Sequence, residues 1–279
     1  MIKGLVYVYF LGATMSNKID HLSISQINEY LGCSQQYFYH RVAKLDQYDT
    51  PSALVVGSAI HEAIEEFNLQ KKQGVKVELS GMVHIFSQYL LKAGKAGPVN
   101  YGKSSIEEQI RLSEIWLAAF LNEQVEQEEV VSIEESFELF LPGLSIPVVG
   151  RVDAVVQNEP DSITVIDYKT AASKPSQTDI DSNQQMTLYG IWARQRWPQK
   201  RIKVRMDYLI KSKRTPSFIR YETSRTNRDE QRLAMLFQKV YNHILMLKAD
   251  VIDPLPVRSW RCPSCSFRHA CCSVELKAA

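Results

Sequence analysis

Apolar positions along this chain repeat first at helical spacing, then at strand spacing, then at helical spacing again. Over 23–39, Ile24, Ile27, Tyr30 and Leu31 share one helical face, and over 57–69 Ile60, Ala63, Ile64 and Phe67 do the same. The stretch 94–102 is rich in Gly, Pro and Lys and reads as a loop. A long helix is expected over 106–129, with Glu107, Glu108, Glu114, Glu123, Glu126, Glu128 and Glu129 as a solvated face. The period then changes: 136–141, 146–157 and 163–168 read as strands, the last two joined into a hairpin by the turn cluster Asn158-Glu159-Pro160-Asp161-Ser162. A helix over 181–197 stops at Pro198. Strands over 203–210 and 218–223 and a helix over 227–248 follow, and the chain ends in a cysteine-rich loop. Helices, then strands, then helices define an α/β class with a central mixed sheet flanked by helices.

Composition adds limits. The chain has 279 residues, 45% hydrophobic and 23% charged, which excludes collagen, coiled coil and bulk disorder. No run of 18 apolar residues exists, so no membrane span is expected. Residues 1–20 read as an extension: 1–14 are apolar with Lys3 as their one charge, too short and interrupted for a convincing signal peptide, and Met15-Ser16-Asn17-Lys18 is a more ordinary start. Five Cys, four of them within 262–272, argue for a cytoplasmic protein rather than a secreted disulfide framework. The net charge of +2 hides a split. Residues 1–193 hold 14 Lys/Arg against 24 Asp/Glu, and 194–279 hold 19 against 7. Such a split suits a polyanion-facing side, or two surfaces that neutralise each other.

The candidate chemistry sits on the hairpin. Gly150-Arg151-Val152-Asp153 lies on one strand and Asp167-Tyr168-Lys169-Thr170 ends the next. Alternation puts Asp167 and Lys169 on one face, where Asp153 meets Asp167 across the hairpin. Paired carboxylates repel unless a cation joins them, and hard oxygen ligands suit Mg²⁺ or Mn²⁺. Lys169 beside them fits phosphate or water positioning, against the plainer reading of a salt bridge with Asp167. Gln185, Leu188, Tyr189 and Trp192 form one helical stripe in which Gln185 is the polar member. His61 borders its helix's apolar stripe and offers an imidazole ligand; Glu135 is a weaker candidate of the same kind.

Cys262-Pro263-Ser264-Cys265 followed by Cys271 and Cys272 is a metal-binding arrangement. Its fourth ligand is Cys272, His269 or the distant Cys33, and spacing leaves zinc and iron–sulfur both open. Lys211, Lys213 and Arg214 cluster on one hairpin loop, after Arg194, Arg196, Lys200, Arg201, Lys203 and Arg205. They suggest a groove for a phosphate backbone with a steep salt dependence; of the interspersed Trp192, Trp197, Trp260 and Tyr208, exposed ones would stack on unpaired bases, but most read as core.

Taken in order, Cys33, Gly57-Ser58-Ala59-Ile60-His61, Gly150-Arg151-Val152-Asp153, Asp167-Tyr168-Lys169-Thr170, Gln185 with Tyr189, and Cys262-x₂-Cys265-x₅-Cys271 resemble the RecB-type branch of the PD-(D/E)xK nuclease superfamily. Leu22 to Tyr39 and Asp207-Tyr208-Leu209-Ile210-Lys211 are similar to it too. The resemblance implies a restriction-endonuclease-like core with a C-terminal cysteine-rich metal-cluster region, spanning 21–275 as a single domain. It implies a [4Fe–4S] cluster on Cys33, Cys262, Cys265 and Cys271, with Zn²⁺ as the alternative. It implies a catalytic set of His61, Asp153, Asp167 and Lys169 supported by Gln185, with the Tyr168 carbonyl as a further metal ligand. Tyr189, Lys211, Lys213 and Arg214 would contact nucleic acid. The activity implied is Mg²⁺- or Mn²⁺-dependent exonucleolytic cleavage at single-stranded DNA ends, in recombination, repair or CRISPR adaptation. A catalytically silent nucleic-acid-binding module of the same fold is the alternative. A helicase or CRISPR adaptation partner, as the resemblance implies, would be a separate protein.

Overall fold

β-Branched residues crowd the middle of the chain, and there the computed structural model, which describes residues 19–124 and 127–271, places a five-stranded sheet. Preceding it are α1 (Ile24–Gly32), α2 (Ser34–Tyr37), a π-turn (Phe38–Val42), the short strand β1 (Thr50–Pro51), α3 (Ser52–Lys72), α4 (Leu79–Ala96), β2 (Val99–Asn100) and α5 (Ile106–Asn122). β1 and β2 pair with each other in parallel. The main sheet runs β3 (Glu129–Leu139), β4 (Val148–Gln157), β5 (Ser162–Ala171), β6 (Arg201–Ile210) and β7 (Ser217–Thr223) in that spatial order. Between β5 and β6 the chain crosses over through α6 (Gln177–Asp181) and α7 (Gln184–Arg196), so that pair is parallel while the other three are antiparallel. α8 (Asn227–Lys248) follows the sheet, and a 3₁₀ turn (Cys262–Ser264) lies in the last segment. The expected α/β class with a mixed sheet is what the chain forms.

Helices cover both faces. α1, α7 and α8 bring Ile27, Leu188, Phe237 and Ile244 against Val152, Val155, Val165 and Val204. On the other face α3, α4 and α5 bring Ile60, Ile64, Phe86, Leu117 and Phe120 against Ala154, Val156 and Ile166. Roofed on both sides, β5 is buried from Ser162 through Tyr168, which explains its unbroken apolar run in place of alternation.

Three expectations are corrected. The helix over 23–39 breaks at Cys33, which is extended (φ −169°). There the chain is recruited elsewhere: Gln35 N–H donates to the Leu255 carbonyl, and the Ser34 hydroxyl accepts from Leu255 N–H at 2.8 Å. The helix over 106–129 stops at Asn122, and Glu129 opens β3. Glu128 is no solvated residue: it is buried against Arg205, because a buried carboxylate and guanidinium each need the other. α4 was not expected at all, although Met82, Phe86 and Leu90 bury one face at i, i+4 and i+8. Residues 1–18 and Cys272, about which an extension and an extra thiol were expected, lie outside the described residues.

Candidate active site

β4 and β5 pair only as far as Ala154 opposite Ile166. One step further the strands part, and the next residues are Asp153 and Asp167. The opened ladder leaves the Tyr168 N–H without a backbone acceptor, and the Asp153 carboxylate takes its place, Oδ2 accepting at 2.7 Å. Asp167 is 1% exposed, and Lys169, two residues along the same face, donates to its Oδ1 at 2.8 Å and lies 2.7 Å from Oδ2. That contact gives Oδ2 no hydrogen bond of good geometry, so the buried oxygen keeps unused acceptor capacity. His61 Nδ1 stands 3.6 Å from Asp153 Oδ2, with the imidazole against the Tyr168 backbone.

Charges at this point perturb one another. Burial, then the Asp167 charge, push the Asp153 carboxyl far above its usual range, against the pull of Lys169 and the Tyr168 N–H. Burial also works against the Lys169 ammonium, but Asp167 and Asp153 outweigh it and hold its pKa above the ordinary value. Burial and the Lys169 charge lower the His61 pKa, so the ring is neutral near pH 7 and offers a lone pair. The five groups His61, Asp153, Asp167, the Tyr168 backbone and Lys169 are therefore brought together as expected.

The supporting residues are placed differently. Gln185, the polar member of its stripe, donates its Nε2 to the Tyr189 hydroxyl at 2.7 Å. That hydroxyl donates to the Arg151 carbonyl at 2.7 Å. The pair thus braces the backbone two residues before Asp153. Tyr189 is buried, so it cannot stack on a base, and burial with the Asp167 and Asp153 charges raises its pKa. Phe137 fits beneath it, and a Cβ on Gly150 would come within 2.3 Å of the Phe137 ring, which is why this strand has glycine there. Glu135 turns away to Arg196. Its neighbour Glu134, which sequence reasoning missed, reaches the site: its charge raises the Asp153 pKa, and its Oε2 lies 2.6 Å from Arg151 Nε. A register shift between Val130 and Ser132 and a left-handed φ of +49° at Glu134 scramble the alternation that would have pointed to it.

Of the expected basic loop, Lys213 is paired with Glu108 and Arg214 is exposed. Lys211 is half-buried over the Trp116 ring with its pKa lowered by burial to about 8. Arg205 leaves the proposed groove altogether: it is buried between Glu128 and Asp207.

Cys33, Cys262, Cys265 and Cys271 line one cavity between α1–α2 and the last segment. Val257 N–H donates to Cys33 Sγ at 3.5 Å and Ser259 N–H to Cys262 Sγ at 3.3 Å. His269 is not part of this group; it lies against Tyr48. Two further ties hold the segment: Tyr39 Oη donates to the Ala270 carbonyl, and Arg268 binds both oxygens of Asp49, which precedes β1. Among the described residues no three His, Cys, Asp or Glu side chains are gathered as a single ion would need, and no helix is long and apolar enough to cross a membrane.

Comparison with known proteins agrees with the fold and with the nuclease superfamily. The family model described as the PD-(D/E)XK nuclease superfamily matches residues 21–272. A crystal structure of a "Putative exonuclease" from Eubacterium rectale superposes with a TM-score of 0.56 at 13% identity, over 92% of this chain and 88% of that one. The structure of SSO0001 aligns over 89% of this chain and 93% of that one, at 16% identity and a TM-score of 0.34, too low for a fold argument. No curated protein matches the sequence.

Proposed function

Because the chain belongs to the PD-(D/E)XK nuclease superfamily, whose members typically use Mg²⁺ or Mn²⁺, we propose that it is a metal-dependent deoxyribonuclease of the RecB-type branch, cutting exonucleolytically at single-stranded ends. The proposed domain is 21–275. The observation that carries this reading is the meeting of Asp153, Asp167, Lys169 and His61 where the β4–β5 ladder opens.

Asp153, Asp167 and His61, with the Tyr168 carbonyl, are the residues that would hold the divalent ion. The donors are of the right kind for a hard divalent ion, Asp167 Oδ2 being buried without a hydrogen bond and His61 neutral, although the three side chains are not drawn about one point as they stand. When bound, such an ion lowers the pKa of its water and offsets charge on the phosphate. Lys169 stays protonated and orients the water or steadies the phosphoryl oxygens as charge builds on them. Tyr189 and Gln185 fix the Arg151–Asp153 backbone, so the Asp153 carboxylate need not reorganise.

The four cysteines are proposed to hold a [4Fe–4S] cluster. They line one cavity between α1–α2 and the last segment, which puts Cys33 beside the C-terminal thiols as a four-thiolate set would require, with Zn²⁺ as the alternative. Backbone N–H groups aimed at Cys33 and Cys262 are what charged sulfur ligands require.

Cleavage of end-labelled single-stranded DNA with Mn²⁺ tests the active site. Asp153→Asn and Lys169→Ala should each lower the rate at least about a hundredfold while circular dichroism stays that of the parent. Parental rates in either variant would overturn the assignment.

A further inference from the structure

A cavity of about 420 Å³ lies between the start of α3 and the end of α4, outside the group described above. Leu54, Val55 and Ser58 of α3 form one wall; Tyr89 and Lys92 of α4 form the other, with Val99 at the end. We propose that this cavity receives an unpaired base of the DNA strand whose neighbouring phosphate is cut at Asp153, Asp167 and Lys169. The inference rests on the nuclease reading and adds what makes the substrate single-stranded.

Position argues first. Leu54, Ser58 and His61 fall at i, i+4 and i+7 on α3, so the cavity continues the helix face that carries His61, roughly 10 Å along the axis at 1.5 Å per residue. Gly57, between them, lies against the Thr170 hydroxyl (3.5 Å from its would-be Cβ), immediately after Lys169. The helix face therefore runs directly from the cavity to the end of β5.

Chemistry argues second. Leu54 is 64% exposed, an apolar side chain held out at the mouth, and the walls offer an aromatic ring and aliphatic surface. Among the described residues, neither the Tyr89 hydroxyl nor the Lys92 ammonium has a hydrogen-bond or ion-pair partner. From Leu79 to Ser105 the chain has Lys92, Lys95 and Lys103 and no Asp or Glu. Aromatic and apolar walls under a cationic rim suit a base with its phosphate. A base still paired and stacked in a duplex presents no face to such a cavity, so the strand must be unpaired to enter. With hydroxyls of Thr50 and Ser58 as the lining groups beside Tyr89 and Lys92, and no Asn, Gln or Arg, base identity is read weakly.

The test uses the full chain, a labelled single strand, and the same strand made entirely of abasic sugar-phosphate. In EDTA, fluorescence anisotropy should show the base-free strand binding wild type about tenfold more weakly than the intact strand. Leu54→Ser and Tyr89→Ala should bind the two strands alike, whereas Lys92→Glu should weaken both. With Mn²⁺, a single abasic site should slow cutting at one fixed offset from the cleaved bond and nowhere else. Equal binding of both strands by wild type, or parental discrimination in both wall variants, overturns the proposal while the nuclease reading stands. Base-dependent binding without any cleavage overturns the nuclease reading and leaves the base pocket in place. A duplex end cut as fast as a single strand also overturns the proposal.

Discussion

At the scale of single residues, the site shows why its neighbours are what they are. Gly150 does not confer flexibility; it leaves room for the Phe137 ring, which stacks on Trp192 and meets Tyr189 edge-on. Gly150→Ala should cost about 1–3 kcal/mol in urea unfolding and slow cleavage, because Tyr189 would shift away from the Arg151 carbonyl. Lys211 makes a different kind of prediction. Its pKa is lowered by burial to about 8, so its charge disappears between pH 7 and 9. If it meets a phosphate, affinity for single-stranded DNA at fixed ionic strength should fall across that interval, and Lys211→Arg should flatten the fall. Stability moves the other way. The folded state holds this proton less tightly than the unfolded chain at 10.5, so the penalty is full below about 8 and fades as pH climbs toward 10.5. A pH-independent affinity in the parent would remove Lys211 from the DNA path.

Among elements, legibility followed regularity. α8 begins and ends where expected because Thr226 and Asp229 form a capping box and the apolar stripe never lapses. β5 was readable from its apolar run, and with it Asp167 and Lys169. β3 was half-missed. Its first residues carry Glu129, Glu134 and Glu135, and the register shift and the turn at Glu134 erase the period of two. The site residue on that irregular stretch was lost with it. Roles carried by a hydrogen bond between side chains were also invisible: nothing in the spacing of Gln185 and Tyr189 says that one holds the other. The junction of α1–α2 with the last segment supplies the prediction at this scale. Cys33→Ala should yield colourless protein, with 255–271 newly open to protease, if Cys33 binds the cluster. Protein that keeps its brown colour would reject Cys33 as a ligand.

Over the whole molecule, the charge split resolves in part into internal pairing. Arg196, Arg201, Arg205, Lys213 and Arg268 of the basic part are bound to Glu135, Glu159, Glu128, Glu108 and Asp49 of the acidic part. Part of the excess thus joins the two halves rather than facing a polyanion. The cations this reading places on the DNA path are Lys92, Lys169, Lys211 and Arg214. A strand contacting these four should give a slope of log affinity against log salt of about −3, at roughly −0.7 per phosphate. A slope near −8, as expected if all of the excess in 194–279 met phosphate, would show that the internal pairs open on binding. The steep dependence inferred from composition alone is accordingly revised downward.

The bonds from Ser34 to Leu255 and from Tyr39 to Ala270 join positions more than 220 residues apart. During synthesis, α1 and α2 leave the ribosome long before their partners exist. Loop closure over such a span is slow and entropically expensive. The first helices must therefore wait with Tyr37 and Val42, both buried in the finished molecule, open to water or to other chains. Ribosome stalling before residue 255 should leave this chain the substrate of chaperones, whereas release after 271 lets the two ends meet.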